Sequence, residues 1–308
     1  MSTGTRVGVI GLGSMGMGVA QSLVRAGFDV AGCDVSAAQC AKFAAAGGRD
    51  AATPAQAAAG ATTLVIMVVN AAQTETVLFG ENGAIAALPA GAVVISSATL
   101  SPDDARSLAV RVEARGLHYL DAPVSGGAAK ANAGQLTVMG SGTPAAFAAA
   151  RPVLQACAQT VYELGDRAGV GAAFKIVNQL LAGVHIAAAC EAITFASKLG
   201  LELDEVYKVI TASAGNSWMF ENRVPHILED DYAPRSAIDI FTKDLGIVTG
   251  IGQKEKFPLT LASAALQMFI ATAAAGMGRD DDSSVARMIA QLTGVELPGK
   301  TKSAPKGS

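Results

Sequence analysis

A glycine pattern near the start of the chain most constrains its fold. Apolar residues run from Val7 to Ile10 directly into Gly11-x-Gly13-x-x-Gly16, and helically spaced residues follow. In a dinucleotide-binding turn, the first glycine permits the tight turn, the second admits a pyrophosphate, and the third allows close helix packing. The N–H groups at the helix start then bind the phosphates. An ordinary glycine-rich turn is the alternative. We predict that this loop binds a dinucleotide through Gly11, Leu12, Gly13, Ser14, Met15 and Gly16.

A carboxylate after the second predicted strand indicates which dinucleotide binds. Asp34 follows the strand at 28–33 and lies 23 residues beyond Gly11. An acidic residue about 20 residues past the glycines binds the adenosine ribose hydroxyls and repels a 2′-phosphate. Residues 35–38 contain no Arg or Lys that would bind such a phosphate. We therefore predict NAD rather than NADP; the alternative is that Asp34 only caps the next helix.

Composition bounds the remaining functions. The chain has 308 residues, of which 51% are hydrophobic and 16% charged, so it can form two domains with sizeable cores. A net charge of −3 argues against nucleic acid and anionic membranes as partners. The apolar stretch 172–200 contains charged residues, which favours a buried helix over a membrane span. No signal peptide precedes the first strand, so we expect a cytoplasmic protein.

Cysteine and histidine give no sign of a disulfide framework or a metal site. The four cysteines show no paired spacing, and three of them fall in segments predicted to be buried. Such thiols fit apolar packing in a reducing compartment. The three histidines are scattered along the chain, so we predict that no metal is bound.

Strand and helix patterns alternate from residue 5 to about residue 165. Short apolar runs bounded by turn residues are typical of buried parallel strands. Beyond the first two, these runs lie at 63–69, 92–96, 118–122, 136–139 and 160–163. Helical segments separate them. The pattern predicts an α/β fold: an N-terminal Rossmann domain with a doubly wound, mainly parallel sheet.

The pattern changes after residue 169, and only helices follow. A long interdomain helix is predicted from about residue 171 to 200, followed by helices at 204–212, 217–228, 237–253, 258–275 and 283–294. We expect residues 1–167 to form the NAD-binding domain and residues 168–298 an all-α substrate and oligomerisation domain. The Lys-, Ser- and Pro-containing segment 299–308 is expected to be disordered.

Two kinds of polar group follow the predicted strands. Asn70 and Thr99 lie at strand ends, where ligands of doubly wound sheets bind, and Thr99 offers a hydroxyl to a ribose or nicotinamide. Ser125, Gly126 and Gly127 follow another strand, and consecutive backbone N–H groups there suit a carboxylate. The alternative for residues 121–127 is a simple turn.

Lysine residues in two apolar helices are candidates for chemistry. Lys175 shares one helix face with Asn178 and Gln179. Desolvation of its ammonium would lower its pKa towards the range useful for proton transfer, whereas snorkelling to solvent is the alternative. Lys243 precedes Asp244 in a second apolar helix. A solvated surface charge is the default interpretation, but flanking Phe241 suggests partial burial.

Four motifs occur in order: Gly-Leu-Gly-x-Met-Gly at 11–16, Asp-Ala-Pro-Val-Ser-Gly-Gly at 121–127, Gly-x-x-x-Lys-x-x-Asn-Gln at 171–179 and Lys-Asp-Leu at 243–245. Together they resemble the β-hydroxyacid dehydrogenase family over residues 5–297. The resemblance implies that Lys175 is the catalytic acid/base and that Ser125, Gly126 and Gly127 bind the substrate carboxylate. It further implies that Asn178 orients the substrate, that Lys243 lines the site near the nicotinamide, and that Val69, Asn70 and Thr99 contact the cofactor.

The resemblance also implies a substrate class. The segment 215–223 is similar to the branch that oxidises the C2 hydroxyl of L-threonate, a four-carbon sugar acid, and Asn216, Ser217 and Asn222 could bind its hydroxyls. Helix capping is the alternative for these residues. Tartronate semialdehyde reduction, 3-hydroxyisobutyrate oxidation and a non-catalytic NAD-binding interaction module remain open. The all-α domain is expected to form homodimers or homotetramers.

Overall fold

The computed structural model describes residues 5–299, so residues 300–308 of the expected disordered tail lie outside the described part. The chain divides into two compact units, one ending at Ile176 and the other beginning at Val177. This division falls inside a long helix, nine residues after the domain boundary expected at residue 167. Each unit has its own architecture.

The first unit is built on a six-stranded sheet. The strands are β1 (Arg6–Ile10), β2 (Asp29–Cys33), β3 (Arg49–Asp50), β4 (Thr63–Ile66), β5 (Val93–Ser96) and β6 (His118–Asp121). Their order is β3-β2-β1-β4-β5-β6, and every neighbouring pair is parallel. This is the doubly wound order, with the switch point between β1 and β4. The predicted fold class is confirmed.

A second, smaller sheet follows in the same unit. It contains β7 (Val124–Ser125), β8 (Leu136–Gly140) and β9 (Ala158–Glu163), in that order. The strands β7 and β8 are antiparallel, whereas β8 and β9 are parallel. The runs predicted at 136–139 and 160–163 therefore belong to this separate sheet. The two-residue strand β7 is too short to leave a sequence signal.

The strand predicted at 63–69 is too long, because β4 ends at Ile66. The glycine loop explains the end: a Cβ at Gly11 would lie 2.8 Å from the backbone carbon and oxygen of Met67, so the two backbones are already in close contact. The N–H of Met67 still donates to the Ile10 carbonyl, and the chain then turns into a helix capped by Asn70.

In the described part of the first unit, from residue 5 onwards, eight α-helices begin and pack around its sheets. They are α1 (Ser14–Arg25), α2 (Ala37–Ala45), α3 (Pro54–Ala58), α4 (Ala71–Phe79), α5 (Pro102–Glu113), α6 (Gly127–Ala133), α7 (Pro144–Cys157) and α8 (Val170–Lys198). Thr-Pro and Ser-Pro pairs set several starts. At α7, for example, the Thr143 hydroxyl accepts from the N–H of Ala146 and Pro144 takes the first helical position, where its missing N–H costs nothing.

Both faces of the large sheet are covered, as a parallel sheet requires. Alternate residues of β1 enter different clusters: Val7 and Val9 pack with α1 and α7 residues, whereas Ile10 packs with residues of α3 and α5. Tyr119 on β6 is fully buried in the second cluster. The central strands are therefore apolar on both sides, which is why the sequence shows continuous apolar runs.

The second unit is helical, and no strand occurs in its described residues 177–299. It contains most of α8 together with α9 (Leu203–Thr211), α10 (Trp218–Leu228), α11 (Ile238–Lys254), α12 (Thr260–Thr272) and α13 (Val285–Thr293). By length and composition alone, Val170–Lys198 and Thr260–Met277 could each span a membrane, a test that core helices of soluble proteins also pass.

Buried charges occupy the interior of this second unit. The Arg223 guanidinium binds the Asp282 carboxylate through two bonds of 2.5 and 3.0 Å. Beside it, the Asp281 carboxylate contacts His226 Nδ1 at 2.9 Å and accepts from the Ser283 hydroxyl at 2.7 Å. Burial alone would raise the pKa of Asp281, but these partners and the backbone N–H of Arg235 together lower it to about 2.

Asp281→Asn should remove a pH-dependent part of the stability. A depressed carboxyl pKa stabilises the fold fully above the unfolded value of about 3.9, and this stabilisation disappears as pH falls through about 2. The free energy of unfolding of the wild type should exceed that of the variant by about 2 kcal/mol at pH 6 and by less towards pH 2. Thermal unfolding from pH 6 to pH 2 measures this difference.

Asp280→Asn is the matched control. Asp280 is the preceding residue, but its side chain is 38% exposed and pairs with Arg287 at the surface. Its substitution should change the free energy of unfolding by well under 1 kcal/mol. If the free energies of unfolding of the wild type and Asp281→Asn differ by the same amount at every pH, the lowered pKa of Asp281 is not the source of the difference.

Candidate functional site

The glycine loop between β1 and α1 is shaped by its backbone. Gly11 has a φ of +93°, which side-chain-bearing residues rarely adopt. A Cβ at Gly16 would lie 1.9 Å from the Gly11 carbonyl oxygen, so this position admits only glycine. A Cβ at Gly13, by contrast, would meet no atom within 4 Å. The loop is therefore closed on the protein side and open where a ligand would approach Gly13.

The start of α1 offers positive charge to that opening. Gly13 is the N-cap residue, no side chain caps the helix, and its first turn contains no acidic residue. The first N–H groups and the dipole end of a helix in this state attract an anion. The loop thus fits a pyrophosphate, as the sequence predicts.

Asp34 lies against the same loop. One carboxylate oxygen accepts from the backbone N–H of Leu12 at 2.6 Å, and the other accepts from the N–H of Ser36 at 2.8 Å. A carboxylate has about four acceptor sites, so two bonds leave room for ribose hydroxyls. The neighbouring Val35 is fully exposed and provides no cation. The arrangement fits an unphosphorylated adenosine ribose and disfavours a 2′-phosphate.

Residues at the next two strand ends act as helix caps. The Asn70 side-chain oxygen accepts from the N–H of Gln73, and the Gln73 side chain accepts from the N–H of Val69. The Ser101 hydroxyl caps α5. These bonds account for Asn70 and Ser101 locally. Contacts of Val69, Asn70 and Thr99 with the cofactor stay predictions.

The loop after β7 has the shape expected of an anion-binding turn. Gly126 and Gly127 have φ values of +129° and +69°, and α6 begins at Gly127. A Cβ at Gly126 would also lie 2.9 Å from the Lys130 side chain. Both glycines are required by the backbone. Binding of a substrate carboxylate by Ser125, Gly126 and Gly127 stays a prediction.

Lys175 is buried beside this loop. Its side chain is 8% exposed, and Nζ donates to the carbonyl oxygen of Val124 at 2.9 Å. Val124 immediately precedes Ser125, so the amine lies next to the predicted carboxylate-binding turn. Burial of Lys175 is confirmed, and the snorkelling alternative is wrong because the amine is bonded inside the protein.

Asp121 holds the start of the helix that carries Lys175. Its buried carboxylate oxygen Oδ2 accepts from the N–H groups of Gly169 and Ala172, each at 2.9 Å, and from the Ser141 hydroxyl at 3.1 Å. Ser141 in turn accepts from the N–H of Gly171. Burial raises the pKa of Asp121 above its usual value, and these donors offset only part of that rise. Sequence analysis missed this role, because the partners lie 48 and 51 residues away.

The second unit contains the other candidate substrate residues. Asn178 Nδ2 donates to Gln179 Oε1 at 2.9 Å, and Gln179 Nε2 donates to Asp244 Oδ2 at 2.5 Å. Lys243 Nζ lies 2.7 Å from Asp244 Oδ1. The Lys243 side chain is 22% exposed and that of Asp244 is 1% exposed. Lys243 is therefore largely buried, and its charge is paired.

The polar residues before and within α10 are used locally. The Ser217 hydroxyl caps the helix by accepting from the N–H of Phe220, and Asn216 Nδ2 binds the Glu221 side chain at 2.5 Å. The Asn222 side chain accepts from the Arg223 guanidinium. The capping alternative therefore accounts for Ser217, and the amides of Asn216 and Asn222 are held by side chains of α10.

Three of the four cysteines are buried thiols. None of them forms a disulfide, and Cys33, Cys157 and Cys190 are buried. Burial raises the pKa of the Cys33 thiol to about 11 and that of Cys157 to about 12. Within residues 5–299 no group of three His, Cys, Asp or Glu side chains could hold a metal ion.

Comparison with known proteins agrees with this geometry. Residues 6–165 match the family model described as the NAD binding domain of 6-phosphogluconate dehydrogenase. Residues 169–289 match the model described as NAD-binding of NADP-dependent 3-hydroxyisobutyrate dehydrogenase. The first match ends just before the domain boundary expected from the sequence, and the second begins just after it.

Full-length relatives are also similar. The chain is 54% identical to L-threonate dehydrogenase of Cupriavidus necator, over 96% of this chain and 99% of the relative. It is 48% identical to L-threonate dehydrogenase of Escherichia coli K12, over 97% and 99% of the two chains. A crystal structure from Salmonella typhimurium, described as 3-hydroxyisobutyrate dehydrogenase, has a TM-score of 0.88 and 50% identity, covering 92% and 99%.

An Asp34→Ala/Val35→Arg double variant should change the dinucleotide preference. Removing the carboxylate and adding a guanidinium exchanges repulsion of a 2′-phosphate for attraction. The ratio of Kd for NADP to Kd for NAD should fall by about 100-fold, which corresponds to about 2.7 kcal/mol. Titration of each dinucleotide measures both constants.

Val35→Arg alone serves as the control, since it adds the cation but keeps Asp34 and its bonds to Leu12 and Ser36. It should change the ratio much less than the double variant does. An unchanged ratio in the double variant would remove Asp34 as the selectivity determinant.

Proposed function

Because the chain belongs to the β-hydroxyacid dehydrogenase family, we propose that it oxidises the C2 hydroxyl of L-threonate to 2-dehydro-L-erythronate with NAD. The observation that carries the catalytic proposal is the buried Lys175 amine, bonded to the carbonyl next to residues 125–127. The full-length relatives named L-threonate dehydrogenase, at 48% and 54% identity, support the choice of substrate.

The first unit would hold the cofactor through the residues that fit it. The loop at residues 11–16 would bind the pyrophosphate, Asp34 the adenosine ribose, and Val69, Asn70 and Thr99 the nicotinamide half. When bound, the nicotinamide accepts hydride and so supplies the redox chemistry. The protein's contribution is to orient the reactants and exclude water.

Residues 125–127 and Lys175 would together act on the substrate. The backbone N–H groups of Ser125, Gly126 and Gly127 bind its carboxylate. In a 2-hydroxy acid the reacting hydroxyl is on the carbon next to that carboxylate, so the position of Lys175 beside this loop supports its proposed role as the base. Neutral Lys175 Nζ takes the hydroxyl proton as C2 loses hydride and its C–O bond becomes a carbonyl. In the reverse direction Nζ returns the proton to the C2 oxygen.

Asn178 and Lys243 would complete the substrate contacts, as the family resemblance implies. Asn178 orients the substrate by hydrogen bonding. Lys243 adds positive charge near the carboxylate and the nicotinamide and shields the site from water. Both residues are proposed here as substrate-binding residues and Lys243 also as a cofactor-binding one.

Other functions are less well supported. The Salmonella typhimurium structure described as 3-hydroxyisobutyrate dehydrogenase favours that acid as a second candidate substrate. Tartronate semialdehyde reduction needs the same residues. A non-catalytic NAD-binding module would have no use for the buried amine of Lys175.

We further propose that the protein works in the cytoplasm as a homodimer or homotetramer on a small sugar acid. Large apolar side chains are exposed on the helical unit and support self-association. They include Phe195, Leu199, Val209, Leu261 and Leu292, whose exposed fractions range from 58% to 78%.

A substrate panel tests the proposed function. The purified protein with NAD is given L-threonate, D-threonate, D-glycerate or 3-hydroxyisobutyrate, and reduced cofactor is followed by absorbance. L-Threonate should give the highest kcat/KM. If 3-hydroxyisobutyrate gives the highest kcat/KM, it replaces L-threonate as the proposed substrate. If no acid is turned over, the non-catalytic binding module is favoured.

Lys175→Ala should lower kcat by about 10²–10⁴-fold, the usual contribution of a general base. Affinity for NAD should change little, since Lys175 is not among the residues proposed to bind the dinucleotide. Lys198→Ala, at the C-terminal end of the same helix, is the control and should keep normal turnover. Near-normal kcat in Lys175→Ala would exclude the acid/base role.

A further inference from the structure

A buried polar chain links the two substrate residues of the second unit. We propose that Gln179 and Asp244 are positioning residues that hold Asn178 and Lys243 in their working orientations. The proposal rests on the proposed function, because it assigns the two outer residues to the substrate. Neither inner residue needs to touch the substrate for this role.

The chain of contacts is continuous. Asn178 Nδ2 donates to Gln179 Oε1 at 2.9 Å, and Gln179 Nε2 donates to Asp244 Oδ2 at 2.5 Å. The other Asp244 oxygen lies 2.7 Å from Lys243 Nζ, an ion pair rather than a directed hydrogen bond. Movement at either inner residue would therefore be passed to an outer one.

Burial separates the inner residues from the outer ones. Gln179 is 6% exposed and Asp244 is 1% exposed, so water cannot replace their bonds if a partner is removed. Asn178 is half-buried, and the Lys243 side chain is 22% exposed. The outer residues are the ones a substrate can reach, and the inner residues act through them.

The chemistry of the groups fixes the direction of every bond. A carboxylate only accepts, so Gln179 must turn its NH₂ to Asp244 and its oxygen to Asn178. Asn178 must then present its own NH₂ to Gln179. This leaves the carbonyl end of the Asn178 amide with a defined position, suited to accepting a hydrogen bond from a substrate hydroxyl.

Close packing of two helices makes this network possible. Each inner residue is the sequence neighbour of the outer one it supports: Gln179 follows Asn178 on α8, and Asp244 follows Lys243 on α11. Gly183 on α8 packs against Leu245 on α11, and a Cβ at Gly183 would lie 2.8 Å from that leucine side chain. The glycine lets the two helices approach closely enough for a single glutamine side chain to join them.

The test uses two single variants, Gln179→Glu and Gln179→Leu, each alone and combined with Asp244→Asn. Gln179→Glu places a second carboxylate against Asp244 and should lower kcat/KM for L-threonate, or for the best substrate of the panel, by about 100-fold. Adding Asp244→Asn restores a donor: the amide introduced at position 244 donates to the carboxylate introduced at position 179, which still accepts from Asn178. The kcat/KM of the double variant should be at least about tenfold higher than that of Gln179→Glu alone. Gln179→Leu, which cannot bond to either partner, should not be rescued by Asp244→Asn.

Two readouts separate positioning from folding. Substrate deuterated at C2 should give a larger isotope effect on kcat in the single variants than in the wild type, because poor alignment slows hydride loss. Thermal unfolding should change little in the double variant. Thr194→Val is the matched control, since Thr194 is also buried on α8 but bonds only to its own helix backbone, and it should keep kcat/KM and the isotope effect.

The outcomes distinguish the two proposals. A wild type that turns over no hydroxyacid overturns the proposed function and this inference with it. An active wild type with variants that keep kcat/KM within about twofold overturns only the positioning role. The positioning role is also overturned if activity falls only as far as thermal stability does, the second substitution gives no rescue, and the isotope effect is unchanged.

Discussion

The arrangement of the first unit depends on one buried carboxylate. Asp121 ends the last strand of the parallel sheet and accepts from the backbone N–H groups that a helix leaves unpaired at its start. The interaction is favourable in two ways: it satisfies buried donors and places negative charge at the positive end of the helix dipole. Ser141 extends the contact to the small sheet. One side chain therefore joins both sheets to α8.

The consequence for the site is geometric. Lys175 lies one helical turn after Ala172, which Asp121 binds. With the helix start fixed, the lysine amine reaches the carbonyl of Val124, just beyond the strand that Asp121 ends. The amine of Lys175 and the turn proposed to bind the substrate carboxylate are thus held by the same short stretch, residues 121–127. The motif that sequence analysis assigned to substrate binding also carries the structural anchor.

Local signals predicted the fold class and the shape of the glycine loop. The glycine loop, Asp34 and the Thr-Pro start of α7 are recognised from neighbouring residues, because a turn or a cap involves only a few positions. The doubly wound sheet follows from continuous apolar runs. The separate sheet could not be predicted, since the apolar runs of β8 and β9 do not show which strands they pair with. The end of β4 was missed because it is set by contact between Met67 and Gly11, which are far apart in the chain.

The partners of candidate site residues were harder to predict than the residues themselves. The apolar helix left burial and snorkelling of Lys175 both open, and the acceptor that decides for burial is 51 residues away. Gln179 and Asp244 are 65 residues apart, and nothing local indicates that they meet. In the second unit, Asp281 and Asp282 have the sequence pattern of surface charges, yet they are fully buried against histidine and arginine side chains of α10. Long-range pairing decides which charges are inside.

The long helix α8 belongs to both compact units, with Val170–Ile176 in the first and the remainder in the second. Evolution often recombines domains by cutting and joining at loops, but this chain has no loop at the division. An exchange would have to preserve helical phase, because one inserted residue turns every later side chain by about 100° around the axis. Asn178 and Gln179 would then leave the face they share with Lys175. The two units are therefore expected to be inherited together, as a single evolutionary unit.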